Sequence, residues 1–182
     1  MATMPSTRAA STGDYIILRL INGLSTVCGW VSAVMILASV LITCQMIFIR
    51  YVLERSTIWQ TEAVIYLMIG ATLLGLPYVQ SLRGHVNVDL IPMLVKGRAR
   101  KYLAGFVLLM TMAVVSVILF FAFENWHVVW QRGWRSESVW APSLWIPYLA
   151  LPLGFGIYLL QLLADFAALV LGVDRPFGLE DN

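Results

Sequence analysis

Charge is what this chain has least of. Only 12% of its 182 residues are Asp, Glu, Lys or Arg, against 60% hydrophobic, where a soluble domain carries about a quarter charged residues. So little charge cannot clothe a water-facing surface, which excludes an ordinary soluble fold. The formal net charge of +2 gives no reason to expect a nucleic-acid partner. Cysteine is nearly missing as well. Cys28 and Cys44 share one apolar block, and two thiols that far apart on one helix cannot be bridged, so no disulfide framework is implied. Histidine is equally scarce: His85 and His127 fall near opposite membrane faces. Facing axial ligands for a haem are therefore missing. No Ser or Cys has a His within plausible reach as a base. An enzyme is not expected.

What the chain does have is long apolar blocks. A bilayer is crossed by about 20 apolar residues as helix, and four blocks meet that length. The sequence predicts an all-α integral membrane protein with a single membrane domain over 1–182. Its parts are a polar N-terminal arm at 1–14, transmembrane helices at 24–49, 58–82, 102–129 and 144–171, a loop at 83–101, and a C-terminal tail at 172–182. The first block is too long for a signal peptide and lacks a small-residue cleavage site, so it reads as a retained helix. Short connectors predict that each helix packs antiparallel to its sequence neighbour.

Orientation follows from Lys and Arg. Arg8, Arg19, Arg83, Lys96, Arg98, Arg100, Lys101 and Arg175 fall on one face; Arg50, Arg55, Arg132 and Arg135 fall on the other. The positive-inside rule then places both termini and the central loop in the cytoplasm. Trp59, Trp126, Trp130, Trp134, Trp140 and Trp145 mark the opposite boundary.

The central loop opens with "RGHVNVDLIP" at 83–92. Arg83 suits the carbonyl end of the second helix, Gly84 its left-handed end, and Asp89 the start of a short interfacial helix at 90–95. Lys96, Arg98, Arg100 and Lys101 then sit at headgroup level, where anionic lipid attracts them. A metal site on His85, Asn87 and Asp89 is a poor reading, with one imidazole and no cysteine. The loop reads as a joint of caps and hydrogen bonds, and no metal is expected.

At the start of helix two, Thr57 and Gln60 fit a capping box, with Glu62 on the positive end of the dipole. That helix presents Ala63, Gly70, Ala71 and Gly75, and helix one Gly29 and Ala33, a small-residue pattern that permits close packing. The midspan stretches 31–43, 67–76, 110–121 and 151–160 hold no charged residue. Transporters usually place an ionisable side chain or a broken helix there. Pro77 and Pro152 give bends but no paired unwound site, so the chain is not expected to carry a solute by itself.

Three segments together resemble a known family. "RYVLERSTIWQTE" carries Arg50, Tyr51, Trp59 and Glu62. "GATLLGLPYVQSLRGHVNVDLIP" carries Gly70, Ala71, Arg83, Gly84, His85 and Asp89. "APSLWIPYLALPLGFGIYLL" carries Pro142, Trp145, Pro147, Tyr148, Pro152 and Gly154. Their order and spacing over nearly the whole chain after the N-terminal arm resemble the small permease subunit of TRAP transporters, the DctQ-like proteins. One departure is Thr61, where the family often has a second acid.

The resemblance implies a multi-pass protein of the bacterial inner membrane, acting as scaffold for a large, DctM-like permease subunit. A DctP-like periplasmic binding protein would deliver an organic acid or similar anionic solute for sodium-coupled uptake. Sodium ions would bind the large subunit, with no cofactor in this chain. Arg50, Trp59, Glu62, Gly70, Ala71, Gly75, Arg83, His85, Asp89, Pro142, Trp145, Pro152 and Gly154 become structural or partner-interface candidates, and Glu62 a candidate for pairing with a cation of the large subunit. Trp126, Trp130 and Trp134, spaced by four on an extension of helix three, read either as an aromatic belt or, with Arg132, Arg135 and Glu137, as a surface for the binding protein. Other readings are a homodimeric four-helix transporter, coupled through Glu62, and a membrane anchor of a redox enzyme.

Overall fold

A computed structural model of the protein describes residues 12–82 and 98–171. Arg83, His85, Asp89, the expected interfacial helix and the C-terminal tail lie outside the described residues. Four helices follow one another: α1 (Thr12–Tyr51), α2 (Gln60–Ser81), α3 (Arg98–Arg132) and α4 (Trp145–Leu171). Each is long and apolar enough to cross a membrane.

Two of the helices overrun the spans expected for them. α1 begins at Thr12 and not near residue 24. No proline interrupts its 40 residues, and once a helix is nucleated each further residue adds a hydrogen bond at little cost. α3 likewise takes in Arg98 to Lys101, which were expected in the loop; straight-chain Arg, Lys and Ala are good helix formers. α2 and α4 start within two residues of their expected positions.

The expected capping box at α2 is not formed. Trp59 occupies the cap position and no side chain bonds the first turn. The Thr57 Oγ1 and Gln60 Oε1 are instead buried without hydrogen-bond partners. The helix starts at Gln60, so Gln60 is too early to reach back to Thr57, and Trp59 is drawn against Trp140 at 6.2 Å between ring centroids.

Pairing of specific residues fixes the topology. Gly29 lies against the Tyr78 ring, Gly75 against Ser32, and Gly70 against Met35, so α1 and α2 run antiparallel. The Ser32 hydroxyl crosses to the Ala71 carbonyl at 2.6 Å. Leu73 meets Gly154 and Gln80 meets Asp165, so α2 and α4 run parallel. Trp126 bonds the Trp145 carbonyl at 3.2 Å and Gly105 touches Leu169, so α3 is antiparallel to α4. The small-residue pattern is thus taken up by packing within the chain.

The expectation that every helix packs on its sequence neighbour fails once. Among the described residues α2 and α3 make no substantial contact; α4 lies between them and also touches α1. The connector joining α2 and α3 is the longest of the three, which relaxes the constraint that keeps consecutive helices adjacent. α4 is therefore the central helix, with Leu162 and Gln161 fully buried on it. Most large apolar side chains of α1 and α3 point outward, as expected where lipid and not water is the solvent.

Candidate functional site

The loop joining α3 to α4 is the most structured feature outside the helices. α3 ends at Gly133, whose φ of +61° is open to glycine without strain. The Trp134 N–H reaches the Val129 carbonyl at 3.3 Å and the Gly133 N–H the Trp130 carbonyl at 3.2 Å. These two bonds form a Schellman ending, which satisfies carbonyls of the last turn. The chain then folds into a hairpin over residues 134–144. Arg135 bridges Ser143, Ser136 N–H bonds Pro142 at 3.0 Å, Leu144 N–H bonds Trp134 at 3.0 Å, and Ala141 N–H bonds Ser138 at 3.0 Å.

One consequence concerns the tryptophans. Trp126, Trp130 and Trp134 do not form a single helical stripe, because Gly133 turns the chain before Trp134. Trp126 and Trp130 remain stacked at 5.4 Å. Trp134 instead lies off the helix, with the Arg132 guanidinium 5.5 Å from its ring, a cation–π distance. Trp130, Arg132, Trp134, Arg135 and Glu137 are all exposed. They form a mixed aromatic and charged rim.

Glu62 ties this hairpin to α2. One carboxylate oxygen accepts from the Tyr66 hydroxyl at 2.6 Å, the other from the Ser138 hydroxyl at 2.5 Å. These lengths suit charge-assisted O–H···O bonds. Tyr66 is one helical turn after Glu62, which puts the two on one face. A cavity of about 450 Å3 lies beneath the hairpin, lined by Met35, Tyr66, Gly70, Trp140, Pro142 and Ile146 among others.

A second polar centre lies at the other end of the bundle. Gln161 accepts from Ser25 at 2.7 Å and donates to Asn22 at 2.9 Å and to Asp165 at 3.1 Å. Gln80 donates to the other Asp165 oxygen at 2.8 Å. Side chains of α1, α2 and α4 are thereby joined. Between the two centres, the Thr43, Thr72, Thr111 and Ser116 hydroxyls bond carbonyls of their own helices. Such bonds settle polar groups that lipid cannot satisfy. Among the described residues no group of three His, Cys, Asp or Glu comes together in a way that could hold a metal ion.

The remaining candidates are placed as follows. Arg50 is exposed in the last turn of α1. Gly70, Ala71 and Gly75 are occupied by α1. Pro142 lies in the hairpin, and Trp145 begins α4 with its carbonyl bonded to Trp126. Pro152 lies inside α4, and Gly154 is pressed on the α2 backbone. Reading the sequence missed Tyr66, Gly133, Ser138, Gln80 and Gln161. Gly133 following "WQR" is a helix-stop signal, and the four-residue spacing of Glu62 and Tyr66 was visible. The partners of Gln80, Ser138 and Gln161 depend on how distant helices align.

Residues 39–172 match the family model for the DctQ component of tripartite ATP-independent periplasmic transporters. The chain is also 21% identical over 141 residues to the C4-dicarboxylate TRAP transporter small permease protein DctQ of Vibrio cholerae serotype O1, a match covering 66% of this chain. The chain spans 61% of the length of that relative. No solved structure matches the chain.

Proposed function

The chain belongs to the DctQ-component family of the tripartite ATP-independent periplasmic transporters, and we propose that it is the fixed, non-conducting membrane subunit of such a system. It would hold a large, DctM-like permease subunit, itself the carrier of sodium and solute. A periplasmic, DctP-like protein would bring the solute, an organic acid or related anion. The small subunit would lie in the bacterial inner membrane with both termini cytoplasmic, which puts the hairpin on the periplasmic side.

One observation carries this reading: the midspan polar side chains are engaged with the chain's own backbone. The Ser32 hydroxyl is spent on Ala71, and those of Thr43, Thr72, Thr111 and Ser116 on their own helices. Ion-coupled carriers place polar or ionisable groups at midspan, facing a cavity. Glu62, the carboxylate a self-contained carrier would need, is occupied by Tyr66 and Ser138. A rigid partner that enlarges the immobile part of a permease has no need of a polar path.

The test is reconstitution in sealed vesicles with an inward sodium gradient. This chain alone should move no dicarboxylate or other organic anion, whereas vesicles holding both membrane subunits should take up solute when binding protein is added. Uptake by this chain alone would overturn the scaffold reading.

A further inference from the structure

Glu62 stands in the first turn of α2, where any carboxylate gains from the helix dipole. Its geometry does more than that. Within the hairpin, backbone bonds link residues 134–144 to one another, but they do not hold the hairpin to the bundle. Its tip is joined to the bundle through the Glu62 carboxylate, which takes the Ser138 hydroxyl and also interacts with the Ser136 side chain, and through the Trp140 ring beside Trp59. Under the tip lies the cavity, and Val139 is 86% exposed, so apolar packing contributes little there.

Ser138 also links the carboxylate to the backbone. Its Oγ accepts from the Ala141 N–H at 3.3 Å while donating to Glu62. Ala141 has a φ of +44°, a left-handed conformation that L-residues other than glycine rarely adopt. Such a conformation persists when its surroundings over-determine it. The Tyr66 hydroxyl fixes the other carboxylate oxygen, so the acceptor itself is held still.

We propose that Glu62 is a positioning residue, a latch that holds the outer hairpin in one orientation and presents its rim as a preformed surface. The rim comprises Trp134, Arg135 and Glu137, with Trp130 and Arg132 at the end of α3. Preorganisation of this kind lowers the ordering cost of association. The consequence for uptake rests on the binding-protein reading above; the latch does not.

Length, more than charge, is what the latch requires. Glu62→Asp keeps the negative charge at the helix start but is one methylene too short to serve both hydroxyls. Dipole compensation alone would leave Asp equivalent to the native residue, whereas a latch makes Asp behave like Ala. Amide hydrogen exchange on the full chain in lipid nanodiscs separates the two. Opening of a local unit sets its exchange rate, so residues 136, 141 and 144 should lose protection by about tenfold in Glu62→Ala and in Glu62→Asp. The amide of Trp134, held on Val129 by the end of α3, should keep its protection. Replacing both Ser136 and Ser138 by Ala, a change confined to the loop, should reproduce the effect and add nothing to Glu62→Ala. Native protection in the Asp variant, or in the Ala variants, would overturn the latch.

Uptake by the two-subunit membrane complex supplies the second arm. With Glu62→Asp, the binding-protein concentration for half-maximal uptake should rise by several-fold. If the hairpin loosens and that concentration is unchanged, the latch stands and docking on this rim is what falls.

Discussion

At the scale of single residues, Gly154 is the glycine that meets neighbouring backbone, where Gly29 and Gly70 meet side chains. A Cβ there would come within 2.7 Å of the Leu73 carbonyl oxygen and 2.9 Å of its carbon. Both belong to backbone, so neither can swing aside. Leu73 is four residues before Pro77, and proline has no N–H for that carbonyl to accept. α4 thus approaches α2 where the helix lacks a backbone bond. Gly154→Ala should therefore cost about 1–3 kcal/mol, the usual range for overpacking a rigid site, read as a lower melting temperature in detergent. Gly70→Ala provides the control. The only atoms its Cβ would meet are the end of the Met35 side chain, which is flexible and can yield, so its melting temperature should stay close to native. Equal losses at both sites would mean that backbone contact is not what distinguishes them. The sequence placed Gly70 in the small-residue packing pattern and Gly154 only among the residues of the resemblance, since what opposes each one depends on the alignment of two helices.

At the scale of elements, α4 organises the molecule, and the end opposite the hairpin shows how. Gln161 is 1% exposed and bonds Ser25 and Asn22 of α1 and Asp165 of its own helix. Interhelical hydrogen bonds in membranes average about 0.6 kcal/mol each, so Gln161→Leu, which removes two, should cost ~1–2 kcal/mol once the groups left behind are counted. Gln161→Glu preserves the acceptor for Ser25 but sets a second carboxylate beside Asp165; it should be destabilising as well, more at neutral than at acid pH. If Gln161→Leu melts like the native protein, the network does not hold α1 to α4. The helices themselves were legible in the sequence because the bilayer fixes their minimum length, and apolar runs of that size leave no other solution. Their ends were less so. The Thr57 and Gln60 pattern promised a capping box that Trp59 displaced, and the four-residue spacing of tryptophans suggested a stripe that Gly133 cut short. Local pattern is decisive inside a span, and tertiary contacts such as that between Trp59 and Trp140 decide at its edges.

At the scale of the whole molecule, among the described residues α3 makes its substantial contacts with α4, and carries exposed Phe106, Phe120 and Phe123. Its 35 residues extend about 52 Å at 1.5 Å each, well beyond a hydrocarbon core of about 30 Å. A helix this long must tilt or project, and its C-terminal end carries the exposed rim with the hairpin. Arg132 and Arg135 lie there beside Trp130 and Trp134, and charges in such a position mainly govern the rate of encounter. On the proposed docking of a binding protein here, reversing both to Glu should slow uptake when binding protein is limiting, while leaving the proposed complex with the large subunit intact on gel filtration. Native uptake should also weaken as salt is raised, because exposed charges are screened beyond a Debye length of about 8 Å at physiological ionic strength. The reversed protein should lose that salt dependence. A pure aromatic belt at the lipid boundary makes the opposite forecast: the reversal would change neither the rate nor its salt dependence at any binding-protein concentration. Indifference of that kind would assign the tryptophans to lipid, and the soluble partner to another face.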